Sequence, residues 1–181
     1  MNIVGKPQRY PVNEKTAQLN RKFFYIILIV FLCFFLDRIS KIYIIQLFID
    51  NDFKDYFVNE YLNFTLTWNK GIAFGLLESK NLFYHFISFV IFLIISFIFY
   101  LIYKTDKKLE FFSFSIIAGG AIGNLFDRLY YQAVPDFLDI HYQNFHWFTF
   151  NVSDIFITIG IIMLLIFDIF KFNIKDNETT T

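Results

Sequence analysis

The sequence predicts an all-α membrane protein: four transmembrane helices with a small β-sheet at one membrane surface. Three observations lead there. The 181 residues are 56% hydrophobic and 23% aromatic, with 28 Phe, more apolar surface than one soluble domain of this length can hide. Four apolar stretches, about 23–48, 82–103, 109–126 and 152–170, approach the roughly 20 residues that cross a bilayer. Between them lie two short segments with strand character.

The elements follow in chain order. Residues 1–22 form a polar tail, and the apolar run after them has no small-residue cleavage site near its end, so the first span is expected to remain as an anchor. Asp37-Arg38-Ile39-Ser40-Lys41 interrupts that run, which predicts a span to about Leu36 followed by helix leaving the lipid. Phe64-Thr65-Leu66-Thr67-Trp68-Asn69 alternates apolar and polar residues, the pattern of a strand with one buried face. The second span is uninterrupted. The third contains Gly119, Gly120 and Gly123, and the small-xxx-small spacing of Gly119 and Gly123 lets two helix backbones approach closely. His146-Trp147-Phe148-Thr149-Phe150 is the expected partner strand of 64–69. The chain thus divides into a tail over 1–22, one four-span domain over 23–170 and a tail over 171–181.

Charge sets orientation and excludes some functions. Ten Lys and Arg fall in the N-terminal tail, the 104–108 loop and the C-terminal tail, against six spread through 37–81 and 127–151. Short cytoplasmic segments carry the basic excess, so both termini are expected in the cytoplasm and the other two segments, with their sheet, outside it. Zero net charge and the lack of long basic runs argue against nucleic acid as a partner. Cys33 has no second cysteine to pair with and sits in an apolar run as membrane filler. His85, His141 and His146 lack the paired spacing and nearby Glu of a zinc hydrolase, so no metal site is expected.

Ionisable groups at membrane depth are costly and need a partner, a wet cavity or a function. Here Asp37, Asp127, Asp136, Asp139 and Asp154 gather near the outer interface. On a helix Asn124, Asp127 and Arg128 share one face, and Asn151 and Asp154 share another. An Asn amide beside a carboxylate can donate to it and fix its rotamer. Asp154 also opens its helix, where the dipole favours an anion. Structural readings stand beside these: Asp127 pairing with Arg128 or a helix end, Asp139 as a solvated loop acid, and Asn69-Lys70-Gly71 as a turn after the strand. Tyr100, Tyr103, Tyr130, Tyr131 and Trp147 read as interface anchors, and His85 as an interfacial residue.

In chain order the motifs are Leu36-Asp37 with Lys41, Asn69-Lys70-Gly71-Ile72-Ala73-Phe74-Gly75, Gly119 to Arg128, Val134-Pro135-Asp136-Phe137 and Phe150-Asn151-Val152-Ser153-Asp154. Together, over residues 25 to 170, they resemble the blocks of the bacterial lipoprotein signal peptidase (signal peptidase II) family, with Ser153 where that family usually has Ala and Arg38 where Gln is common. The resemblance implies a membrane endopeptidase of the bacterial cytoplasmic (inner) membrane that cleaves prolipoproteins before a diacylglyceryl-modified cysteine, needs no cofactor and binds globomycin-type inhibitors. It assigns Asp136 and Asp154 as the catalytic pair, at the outer face. Asp37, Lys41, Asn69, Gly71, Asn124, Asp127, Arg128 and Asn151 become the supporting or substrate-binding set. Two close carboxyls share one proton, so one can activate water while the other donates; which does which stays open. The competing reading is a small membrane transporter or proton-conducting protein, which would place such residues near the midplane in repeated or broken helices, and no repeat is apparent.

Overall fold

The computed structural model describes residues 14–70 and 81–179. Gly71 and the motif residues that follow it lie outside the described residues. The elements are α1 (Glu14–Asp50), β1 (Tyr56–Asn59), β2 (Leu62–Asn69), α2 (Asn81–Lys104), α3 (Lys108–Tyr131), β3 (Val134–Tyr142), β4 (Phe145–Phe150) and α4 (Val152–Thr179). All four helices are long and apolar enough to cross a membrane, and their outward faces expose Phe23, Phe31, Phe86, Phe92, Phe97 and Leu165. Such surface is stable only where lipid covers it.

α1 runs on through Asp37–Lys41 without a break. Its 37 residues rise to about 55 Å, well beyond the roughly 30 Å hydrocarbon core. The helix is therefore longer than a span needs, and Asp37 and Lys41, one turn apart, pair with each other rather than breaking the backbone.

The sheet is antiparallel throughout, in the order β1-β2-β3-β4. Both expected strands form, but they are not partners: β3 lies between them, pairing Asn69 with Val134 and Thr67 with Asp136 on one side, and His141 with His146 on the other. The sequence hid β3 because Val134 to Phe137 are buried in succession, so no polar alternation survives, and because Pro135 argues against a central strand. Pro135 is tolerated near the strand's start, opposite Trp68. Ile44 and Phe48 of α1 pack with Phe137 of β3, joined by Phe64, Leu66 and Val152, which fastens the sheet to the far end of α1 and the start of α4.

α3 is the central helix. At Gly119 a Cβ would sit 2.6 Å from the Cβ of Cys33 on α1, and at Gly120 it would sit 2.5 Å from the Ser153 carbonyl oxygen on α4. At Gly123 it would run into the Ser153 hydroxyl and the Asp37 carboxylate. The glycines let α1 and α4 close on α3, and Cys33 is a buried packing residue of that contact. A second core, with Ile98, Ile102, Phe111, Ile117 and Ala118, locks α2 to α3.

Gly120→Val puts a branched side chain against the α4 backbone, where no flexible end can yield. It is expected to destabilise by about 1–3 kcal/mol or more, seen as a lower thermal midpoint in detergent. Ile162→Val on the exposed face of α4 should leave the midpoint unchanged. Equal midpoints for the two variants would contradict the helix contact.

Candidate active site

The site starts from four charges with almost no exposed surface. Asp37, Lys41 and Asp127 are fully buried and Arg38 nearly so. The Lys41 ammonium donates to the Asp37 carboxylate at 2.9 Å, to Asn124 Oδ1 at 3.0 Å and to Asp127 Oδ2 at 2.5 Å. An ammonium has three protons, so these three acceptors saturate it. Arg38 lies 3.0 Å from Asp37 and 2.5 Å from Asp127, with its guanidinium 5.0 Å over the Phe126 ring. Two cations and two anions cancel, which makes a buried cluster tolerable. Asp37 also accepts the Ser153 backbone N–H at 3.0 Å, so the cluster joins α1, α3 and α4.

Asn124 carries the cluster's order outward. Its oxygen is held by Lys41, and its Nδ2 donates to Asp154 Oδ1 at 2.8 Å. Asp154 sits in the first turn of α4, where Asn151 precedes the helix. The Asn151 N–H donates to Asp154 Oδ2 at 3.1 Å and the Asp154 N–H donates to Asn151 Oδ1 at 3.2 Å. This reciprocal pair is a capping box, which satisfies two helix-end donors and fixes the carboxylate's direction. The Asn151 side-chain amide then donates to Asp136 Oδ1 at 2.6 Å, while Asn69 Nδ2 donates to Asp136 Oδ2 at 2.9 Å. Asn69 closes β2, beside the start of β3, and this pairing sets it within reach of Asp136.

Burial pushes the Asp136 carboxyl up from the usual 3.8 to about 6. The Asn151 and Asn69 amides oppose this, the neighbouring Asp154 charge adds to it, and Lys41 opposes it last and least. The two aspartates thus feel each other while sharing one asparagine between them. Beside Asp154 opens a cavity of about 300 Å³ lined by Ile140, Phe148, Phe150, Ile155, Thr158 and Ile159.

Nine of the ten singled-out residues are described, and eight of them form one connected chain: Asp37, Lys41, Asp127, Asn124, Asp154, Asn151, Asp136 and Asn69. Arg128 stands apart. Asp127 pairs with Lys41 and Arg38, not with Arg128 as the sequence suggested, because α1 brings two cations closer. The Arg128 guanidinium lies 5.7 Å from the Tyr84 ring centre, and its Nε and Nη1 are buried with no hydrogen-bond partner among the described residues. Asp139 is not a solvated loop acid. It is 4% exposed on β3 and bonded to His146 Nδ1 at 2.7 Å. Arg38 escaped the sequence reading as a site residue, although a cation inside an apolar helix was the available signal.

Comparison with known proteins supplies a family likeness. Residues 29–171 match the family model described as signal peptidase (SPase) II. The lipoprotein signal peptidase of Pelagibacter ubique is 45% identical over 163 residues, covering 89% of this chain and 98% of that one. Its counterpart in Anaplasma phagocytophilum is 42% identical, covering 75% and 86%. A bacterial membrane enzyme solved by the in meso method at 2.3 Å superposes with a TM-score of 0.60 and 26% identity over 87% of this chain and 92% of that one.

A raised Asp136 pKa has a stability consequence. Between about pH 3.8 and 6 the folded state keeps a proton that the unfolded state has released, so this carboxyl's contribution to stability falls as pH rises and stays low above pH 6. Asp136→Asn does not titrate. Whatever constant offset the amide introduces, the variant's thermal midpoint minus that of the parent should be larger at pH 7.5 than at pH 4. A difference that is flat or shrinks with pH would show that Asp136 is not held neutral by burial.

Proposed function

The chain belongs to the signal peptidase II family and removes signal peptides from prolipoproteins, and we propose that it does so as an aspartic endopeptidase with Asp136 and Asp154 as its catalytic pair, cutting before a diacylglyceryl-modified cysteine. One observation carries the reading: Asn151 holds both carboxyls at once, one through its side chain and one through its backbone. The transporter alternative finds no support among these relatives.

In the reactive form of the pair Asp136 is assigned the shared proton, because burial raises its pKa to about 6 and makes it the readier of the two to hold one. Asp154, held by the Asn124 amide and the Asn151 N–H, takes a proton from water as the water oxygen bonds to the scissile carbonyl carbon. Asp136 gives its proton to the departing nitrogen as the carbon–nitrogen bond breaks, and the proton left on Asp154 returns to Asp136. Arg128 has two buried donors to offer substrate carbonyl oxygens. Asn124 is committed to Lys41 and Asp154, so it orients the dyad rather than gripping substrate. The apolar cavity beside Asp154 suits substrate side chains or acyl carbon. Each methylene kept in lipid holds the modified cysteine there by about 0.8 kcal/mol. Membrane lipid is thus part of the positioning device, and globomycin-type compounds are expected to compete for the same place.

The same proposal sets the dyad at the outer face of the bacterial cytoplasmic membrane, with both termini inside. Supporting it, α1 crosses from the basic N-terminal side and reaches the Asp37 cluster only after some twenty residues.

Asp136→Asn and Asp154→Asn should each lower cleavage of a lipidated prolipoprotein by at least about 10²-fold while the protein stays folded. Asp139→Asn should slow it far less. An essential Asp139 beside a dispensable Asp136 would show the pair to be misassigned. Topology is tested separately: reporter fusions after residues 60 and 140 should register outside and those after 106 and 175 in the cytoplasm. The reverse pattern would put the aspartates on the wrong side for an exported precursor.

A further inference from the structure

We propose that Asp139, His141 and His146 form a second site, separate from the dyad, that takes one divalent transition-metal ion of the zinc or copper class and clamps β3 to β4. One ligand atom from each of the three lies within 4.8 Å of the others. Their side chains come together because Asp139 and His141 are two apart on β3, on one face, and the register sets His146 of β4 directly across from His141. The two imidazoles stack with centroids 5.0 Å apart.

Three properties favour an ion over a purely structural cluster. His141 is 8% exposed and its Nδ1 is buried with no hydrogen-bond partner among the described residues, a cost that a bound ion would relieve. Asp139 is more deeply buried still, yet its side chain is bonded to the half-exposed His146. The half-exposed side chain of His146 in turn gives an ion a way in. Ligands around one zinc ion stand about 3–4 Å apart at bond lengths of about 2.0–2.2 Å, and the three ligand atoms here, all within 4.8 Å of one another, lie close to that spacing. Two imidazoles and one carboxylate are the donors of zinc, copper or nickel, whereas magnesium and calcium prefer all-oxygen shells. The search by sequence passed over the site because it sought histidines one helical turn apart, and these ligands converge only across a hairpin.

The ion would join the strand carrying Asp136 to its neighbour without taking part in the proton transfers, so its binding should register as stability. The test uses full-length protein in detergent, purified with a histidine-free tag, treated with EDTA and desalted. Zinc is titrated calorimetrically, and thermal midpoints are read with and without it. One ion per chain and a raised midpoint are expected. His146→Ala, at a half-exposed position that should fold normally, should weaken zinc binding about ten-fold or more and remove the midpoint rise. His141→Ala should do the same, and His85→Ala should change neither. No saturable binding, or binding indifferent to His146→Ala, would overturn the site. EDTA-treated parent should still cleave prolipoprotein. Cleavage lost in EDTA and restored by zinc would overturn the separation of this ion from the chemistry.

Discussion

A lysine ammonium with no contact with solvent is the constraint on which the rest of the structure depends. Removing such a charge from water costs several kcal/mol, recovered only when every proton finds a well-placed acceptor. Lys41 finds three, from Asp37 one turn back on its own helix and from Asn124 and Asp127 on α3. The requirement fixes the rotation of α1 against α3. It also fixes α4, because Asp37 accepts the Ser153 backbone N–H and Gly123 leaves just enough room for both. The glycines supply close approach and the charges supply register; neither would suffice alone, since apolar faces slide in lipid with little penalty.

From that anchor the order passes outward through amides. Asparagine suits the relay because one side chain can accept from a cation and donate to a carboxylate at the same time. Asn124 does this between Lys41 and Asp154, and Asn151 links Asp154 to Asp136 while also opening α4. Asn69 completes the chain from β2. The two aspartates are therefore carried by different kinds of scaffold, a helix start and a strand, and are held in mutual reach by groups whose own positions are over-determined.

How much of this could be read from the sequence follows from the range of each interaction. The four spans were legible because hydropathy is summed over some twenty residues, and the site was legible because carboxylates and amides in so apolar a chain need partners. The motif blocks brought nearly all of the connected residues forward. What stayed hidden depends on tertiary pairing. β3 lacks alternation because its first residues are buried on both faces, which also turned Asp139 from an apparent loop acid into a buried one. Asp127 was matched to its sequence neighbour Arg128, while the cations that reach it, Lys41 and Arg38, come from a helix more than eighty residues earlier.

Under the proposed chemistry, the neutrality of the buried cluster also accounts for a carboxyl pair that shares a proton so near a lysine. An unsatisfied ammonium beside two aspartates would favour both in ionised form, leaving a base and no acid. Lys41 is instead saturated by Asp37, Asp127 and the Asn124 oxygen, and with Arg38 the four charges cancel. Its residual pull on Asp136 ranks below burial, below the two amides and below the opposing Asp154 charge. The lysine can then set geometry through Asn124 while leaving the proton to be decided locally, by the burial of β3 and the second carboxylate. Positioning and protonation are handled by separate groups, and the amide between them lets one act without disturbing the other.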